Sequence, residues 1–508
     1  MLPCTYDAAV VENDQPQCAP GSPVGASSLP LSISDQLTWV LVAIIASAYF
    51  FGLTPGHVFA QDDFAAYVMQ AANLVEHRRY TDIRYVPNPE APWVSPANGY
   101  PPVYPLLLAP VYWWRGPDLR AMKMVTVVTF AIFLAAFAKW VRPMVSPGLR
   151  VVAVLLVGLS PAFWNYRDLI SSEFPYLMSS FLALLAIRRG SEVVRGWQQA
   201  GWALLAALLL YASYGTRTIG IALPGALLGA ELMRQRKPGR FVMLVLGVFA
   251  GFAMVQSVLL TSPRGYMAVA HFSTTSVLEN VASYAKSLSH AWESGFSQAA
   301  QGGLTVVFSG FAAFAFWKRF RKGSLEAFYV VIYLGILIAW GAQIGVRGLL
   351  PVLPIYLTYV VLGIAQVVEK GQQPRATRAL VASLAVCVAI TYFGGLRQRP
   401  WQAALANVND TSAQELFTFL RSQTQPSDLL LFSKPRSLAL FSGRAVGSLG
   451  AEEPASESVR FVRENGVRFV IQSSWAPAAY DQLLASGQFE LVFGNEDFRV
   501  YRVGERVE

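Results

Sequence analysis

The 508-residue chain is poor in the groups on which soluble and secreted proteins rely. Only 14% of its residues are charged, against 54% hydrophobic, and mean hydropathy is +0.40. That excludes an ordinary soluble globule, in which about a quarter of residues carry charge. Cysteine is nearly absent: Cys4 and Cys18 lie near the start and Cys387 in an apolar run, so no disulfide framework is expected. The four histidines, His57, His77, His271 and His290, lack the spacing of metal ligands, so neither a metal site nor any other cofactor is expected. Beyond Gly394, where the composition turns to that of a soluble domain, there is no glycine-rich phosphate loop and no nucleophile elbow. Residues 1–35 contain neither Lys nor Arg and are rich in Pro, Ser and Ala. Without a basic start and a short apolar core they do not read as a cleaved signal peptide; a disordered cytoplasmic tail is expected.

What fills the chain instead is long apolar runs. Eleven stand out: Gln36–Thr54, Leu119–Val141, Leu149–Tyr166, Phe174–Ile187, Gln198–Tyr214, Thr216–Met233, Phe241–Leu260, Gly302–Trp317, Leu325–Ile344, Gly348–Val368 and Ala379–Gly394. Most approach the ~20 residues that cross a hydrocarbon core. Alternate connections are basic: Lys139/Arg142/Arg150, Arg188/Arg189/Arg195, Arg234/Arg236/Lys237/Arg240, Lys318/Arg319/Arg321/Lys322 and Lys370/Arg375/Arg378. The positive-inside rule places all of these in the cytoplasm, which puts residues 55–118, residues 261–301 and the C-terminus outside. The net charge of +9 therefore reflects topology and anionic lipid headgroups, with no nucleic-acid partner.

Three regions follow: the tail 1–35, a transmembrane region 36–394, and a soluble extracytoplasmic domain 395–508. In the first outer segment, Phe64, Tyr67, Val68, Ala71, Leu74 and Val75 fall at helical spacing, which predicts an amphipathic helix on the outer membrane face. The proline-punctuated stretch Tyr85–Tyr104 predicts an extended loop, and Val103–Trp114, ending in aromatics, an interfacial segment. Residues 262–301 predict one or two further interfacial helices. Beyond Gly394 the pattern predicts helices at Ser412–Ser422, Ser456–Glu464 and Pro477–Leu484. Strands are predicted at Leu429–Phe432 and Arg468–Ile471, with a closing hairpin Phe489–Phe493/Phe498–Arg502, together a small α/β layer.

Charged residues on the outer side are the candidates for chemistry. Asp62 and Asp63 follow the first span, where a carboxylate can act as general base on an incoming hydroxyl or amine; equally, an acid pair can simply cap a helix. Glu173, with Asp168, sits in a short outer connection, where an acid must be paired or wet; a surface carboxylate is the bland alternative. Arg217 and Arg347 lie in tight outer connections against the positive-inside trend, as does Arg167. They could grip a phosphate in a bidentate fork, or merely snorkel.

The order and spacing of these segments resemble the GT-C superfamily of integral-membrane glycosyltransferases, nearest the branch of protein O-mannosyltransferases and the aminoarabinose transferase of lipid A. The resemblance rests on AQDDFAAYVMQAANLVEHRRY, GYPPVYPLLLAP, ISSEFPYLMSSFLALL, YGTRTIGIALP and VRGLLPVLPIYL, between about Gln36 and Val368. It implies a polytopic α-helical fold with about eleven spans, outer interfacial helices and an outward C-terminal α/β domain. It also implies inverting transfer of a sugar from a polyprenyl-phosphate donor to a lipid, glycan or protein acceptor at the outer face of a bacterial inner membrane. Asp62 or Asp63 would be the base, Glu173 the second acid, and Arg217 and Arg347 the holders of the lipid phosphate. Tyr100 and Tyr104 would line the donor site; Tyr100 stands where the family usually has Lys or His before two prolines.

A secondary transporter or lipid-carrier flippase would also have many spans and charges. Such proteins place their charges near mid-span in broken helices, whereas here they gather at outer ends. A purely structural membrane protein would not need acids and arginines in four separate outer loops.

Overall fold

The computed structural model describes residues 33–91, 100–193, 196–260, 274–292, 298–340, 344–369, 405–487 and 489–504, with isolated positions at 379, 383 and 392. Most of the predicted tail, the basic connection 370–378 and the span Ala379–Gly394 lie outside the described residues. Every earlier apolar run is helical in whole or in part. Among the described residues, three helices are long and apolar enough to cross a membrane, namely Leu119–Val141, Arg240–Leu259 and Gln298–Arg321. On the last two, Met254, Val258, Leu259 and Val306 are about 70% exposed (69%, 69%, 73% and 73%), an apolar exterior suited to lipid and not to water.

Other runs are interrupted. The predicted span Leu149–Tyr166 is a helix over Pro147–Gly158 and a single turn at Pro161–Trp164, because Pro161 lacks the N–H that would continue the ladder. Gly348–Val368 likewise becomes the turn Val346–Leu349 and the helix Leu353–Glu369 around Pro351. Thr216–Met233 starts with a 3₁₀ turn at Thr218–Ile221 before the helix Ala222–Gln235. These breaks leave Arg217 on extended backbone before the 3₁₀ turn and Arg347 in the isolated turn Val346–Leu349. Elsewhere helices pack tightly: at Gly363 a Cβ would collide with the backbone of Phe311, so the helices Gln298–Arg321 and Leu353–Glu369 meet backbone to backbone.

The C-terminal region forms a six-stranded sheet in the order β1-β3-β2-β4-β6-β5. Its strands are β1 (Tyr85–Val86), β2 (Leu429–Leu431), β3 (Ala445–Gly447), β4 (Val467–Ser473), β5 (Phe489–Gly494) and β6 (Phe498–Val503). β1, β3, β2 and β4 run parallel, and β6 and β5 close the sheet antiparallel. The predicted helices appear at Thr411–Gln423, Ala455–Asn465 and Ala478–Ala485. Unforeseen are β3, the helix Pro435–Ser442, and β1, which comes from the first outer segment and binds that segment into the sheet.

The helix expected to lie on the membrane surface does not. Asp63–Val75 is buried on nearly all sides, between the helix Val103–Arg115 and the C-terminal domain. Its polar face is satisfied inside the protein: Gln70 bonds both the N–H and the C=O of Tyr100, and Asn73 donates to the carbonyl of Asp82. Trp113 and Trp114, by contrast, are exposed at the end of Val103–Arg115, as an interfacial position requires.

The bend before that helix is fixed by Gly56 and His57. Gly56 has φ +78° and faces Asn407 and Asn409 too closely for any Cβ. The buried His57 accepts the Ile170 N–H at Nε2 (3.1 Å) and donates from Nδ1 to its neighbour's carbonyl (3.1 Å), while Val408 N–H reaches the His57 carbonyl. Burial, helped by the Lys123 cation, takes the imidazole pKa from 6.5 down to about 3. The unfolded chain takes up this proton near pH 6.5, so the stability contributed here is complete above that pH and is lost as pH falls, by about 2 kcal/mol down to roughly pH 5. The melting temperature should therefore drop more steeply between those two pH values in the native protein than in His57→Asn. Parallel slopes would mean that the ring is not held neutral.

Candidate active site

Glu173 is the first residue of the helix Glu173–Glu192 and is fully buried. Its Oε1 receives both Arg217, through Nη1, and Arg347, whose Nε lies at 2.5 Å. Arg347 turns its other edge to Asp63, with Nη1 2.8 Å from Oδ2. Asp63 Oδ1 accepts in turn from the Tyr100 hydroxyl at 2.5 Å and from Arg436 Nη1 at 3.2 Å, and Arg436 also reaches the Tyr100 oxygen at 3.0 Å. Two carboxylates, three guanidiniums and a phenol thus form one continuous lattice. Snorkelling does not describe Arg217 or Arg347: both point inward, with side chains only 16% and 19% exposed.

The adjacent acids have different surroundings. Burial alone would raise the Asp63 pKa, but Arg347 and Arg436 outweigh it and hold the carboxyl well below the usual range. Asp62 is held by backbone and hydroxyl donors. It does not cap its own helix; it caps the start of Pro435–Ser442, some 374 residues away, accepting from Arg436 N–H (3.2 Å), Ser437 N–H (2.7 Å) and Ser437 Oγ–H (2.7 Å). Burial dominates there and raises the Asp62 pKa despite Arg436 and Ser437. A carboxylate with a raised pKa that opens onto a cavity can take a proton; one locked between two arginines is a poor base and a good clamp.

That cavity, of about 300 Å³, lies between the membrane region and the C-terminal domain and is bordered by Asp62, Asp63, Arg347, Ser433, Arg436 and Trp475, among others. A second cavity of about 330 Å³, almost wholly apolar, lies among the helices Thr274–Leu288, Gln298–Arg321, Leu325–Ala339 and Leu353–Glu369. Leu349, two residues from Arg347, borders it.

Other predicted residues lie elsewhere. Tyr104 is fully buried, with its hydroxyl on Thr126 Oγ1 (3.2 Å) and its ring edge-on to Tyr67; it packs the core and borders neither cavity. Asp168 ties down the end of the first helix through Thr54 N–H (2.9 Å) and the buried Lys123 (2.8 Å). Arg167 stacks on Trp164 at 4.0 Å. The first-rank residue missed from sequence is Arg436. Its signal was present in SKPRSLALFSG, where Pro435 in the first turn and Gly443 at the end mark a helix.

No protein-family model matches the chain, and no curated protein matches it in sequence. Its backbone does match solved structures. ArnT from Cupriavidus metallidurans bound to undecaprenyl phosphate superposes with TM-score 0.57 at 13% identity, over 93% of this chain and 99% of ArnT. AglB, an oligosaccharyltransferase from Archaeoglobus fulgidus in complex with an inhibitory peptide and a dolichol-phosphate, gives 0.58 at 11%, over 92% and 74%. These are GT-C membrane glycosyltransferases. The chain has the GT-C fold. The mycobacterial arabinofuranosyltransferase AftD extends the likeness, with TM-score 0.52 at 14% identity over 94% of this chain and 40% of AftD. At such identities the shared feature is the GT-C fold itself, and the chemistry rests on the side chains above.

Glu173 is the only carboxylate bonded to Arg217 among the described residues. Glu173→Gln should accordingly cost about 3–5 kcal/mol, the penalty for leaving a buried cation without its partner. A melting temperature within a degree of the native value would show that the lattice does not depend on Glu173.

Proposed function

We propose that this protein is an inverting glycosyltransferase that takes a sugar from a polyprenyl-phosphate donor and passes it to an acceptor hydroxyl or amine at the outer membrane face. The observation that carries this reading is the position of Arg347. Arg347 borders a polar cavity edged by two acids, and Leu349, two residues along the chain, borders an apolar cavity. A lipid phosphate needs such a junction: a slot for its chain, a cation for its head, and a polar space for the sugar. The solved relatives hold ligands of this class, undecaprenyl phosphate in ArnT and dolichol-phosphate in AglB.

The steps follow from the charges. The acceptor oxygen or nitrogen attacks the anomeric carbon from the face opposite the phosphate, and Asp62 accepts its proton. The bond from the anomeric carbon to the phosphate oxygen breaks, and the electron pair leaves on the polyprenyl phosphate. Arg347, backed by Arg217, meets the charge that develops there. Single displacement inverts the anomeric centre. Asp63 and Glu173 hold the arginines in place, and Tyr100 holds Asp63. The acceptor is a lipid, glycan or protein group on the outer side.

Purified protein incubated with a panel of polyprenyl-phosphate sugars should consume one of them. Asp62→Asn retains an oxygen for the cap on Ser437, yet should slow transfer ~10²–10⁴-fold with donor binding intact. Arg347→Ala and Arg217→Ala should weaken donor binding on the order of tenfold or more. The native rate should fall with acidity through a carboxyl pKa above the ordinary 3.8, since the base must be ionised. Full turnover in Asp62→Asn would move the base elsewhere, and normal donor binding in both arginine variants would remove the lipid phosphate from the account.

The reading also requires an outward site. A reporter active only outside the cytoplasm should work when fused at Gly394 and fail at Lys237. The reverse pattern would place the acids on the wrong side for a lipid-linked donor.

A further inference from the structure

The polar cavity does not end at the acids. Beyond Asp62 its wall belongs to the C-terminal domain: Ser433, Lys434, Ser448, Trp475 and Pro477. Three features of that wall are unexplained by donor chemistry. Trp475 is partly exposed while its ring is braced by Phe59 (6.0 Å) and edge-on by Phe498 (5.3 Å), so one aromatic surface is held rigidly at the cavity rim. Ser433 Oγ is buried without a hydrogen-bond partner, which is costly unless a ligand supplies one. Lys434, half-buried beside Asp62, makes no ion pair among the described residues.

A rigid aromatic plate, an unsatisfied hydroxyl and an ammonium around a small polar space fit a ring that is apolar on one face and studded with hydroxyls at its edge. Resting on the glycosyltransferase reading, we propose that this outer half is the acceptor subsite and that the acceptor is a carbohydrate, its ring on Trp475 and its hydroxyls on Ser433 and Lys434. The hydroxyl to be glycosylated then points at Asp62. An acyl chain would leave these polar groups unmatched, a peptide would not present the stack of a hydroxylated ring on the indole, and the donor sugar would lie on the inner side, next to Arg347.

The test separates acceptor from donor. Purified protein is given its donor with three acceptor types: short oligosaccharides, a Ser/Thr-rich peptide, and a phospholipid with a free headgroup hydroxyl. Oligosaccharides alone should be glycosylated, and Trp475→Ala and Lys434→Met should raise the oligosaccharide KM about tenfold while donor-lipid affinity stays within twofold. Trp475→Phe preserves the packing on Phe59 and Phe498 and should restore most of the affinity, which a folding defect in Trp475→Ala would not imitate. Without any donor, the same oligosaccharides should raise the melting temperature of the native protein and not that of Lys434→Met. Transfer to peptide or phospholipid in preference to oligosaccharide would overturn the proposal, as would an unchanged KM in both Trp475→Ala and Lys434→Met. A protein that consumes no donor at all, yet is stabilised by oligosaccharide, would keep this subsite and sink the transferase reading instead.

Discussion

Arg347 is bonded at once to Glu173 and Asp63, and much of the outer half of the molecule is arranged around that double contact. Removing charges from water at a membrane boundary is costly unless each finds a partner. Here the partners come from separate outer segments: Asp63 and Tyr100 from the first, Glu173 from the next, Arg217 and Arg347 from two helix breaks, and Arg436 from the C-terminal domain. Arg347 has both of its carboxylates only when the first and second of these segments meet, and Asp63 has both of its arginines only when the C-terminal domain docks, so the lattice ties the outer loops to the soluble domain. Strand β1 and the exchange between residues 56–59 and 406–408 reinforce the same join with backbone hydrogen bonds.

The two neighbouring aspartates show how environment assigns different roles to identical groups. Asp63 faces two guanidiniums and stays ionised; Asp62 faces backbone and hydroxyl donors in a buried setting and holds its proton more readily. Only the latter is tuned toward proton transfer, and it is also the one that grips the C-terminal helix. In the proposed reaction an acceptor reaching Asp62 passes along the C-terminal domain. That domain supplies much of the cavity wall, through Ser433, Lys434, Arg436, Ser448 and Trp475.

Sequence periodicity made most helices legible, because apolar runs between basic loops leave few other solutions; charge against the positive-inside trend marks Arg217 and Arg347, and an acid in a short connection between apolar runs marks Glu173. What it could not convey was depth. Gln70 and Asn73 look like a solvated face, yet their amides are satisfied by Tyr100 and Asp82 across the fold, and the helix they sit on is buried. Long-range capping was equally invisible: Asp62 reads as a cap for its own helix and in fact caps one in another region. Arg436 escaped for the same reason, since nothing local says that the first turn of an eight-residue helix enters a cleft 374 residues upstream. Tyr104, next to a recognisable motif, looked like a site residue because sequence proximity cannot distinguish a ring that lines a cavity from one that packs behind it.

The central claim is that Arg347 is held in readiness for a lipid phosphate by two carboxylates. It is tested most directly by determining the structure with a polyprenyl phosphate bound. The account predicts phosphate oxygens within hydrogen-bond distance of Arg347, with Glu173 still holding the opposite edge of its guanidinium and the prenyl chain entering the apolar cavity past Leu349. A phosphate bound away from Arg347, with the lattice of Asp63, Glu173 and the arginines undisturbed, would contradict it.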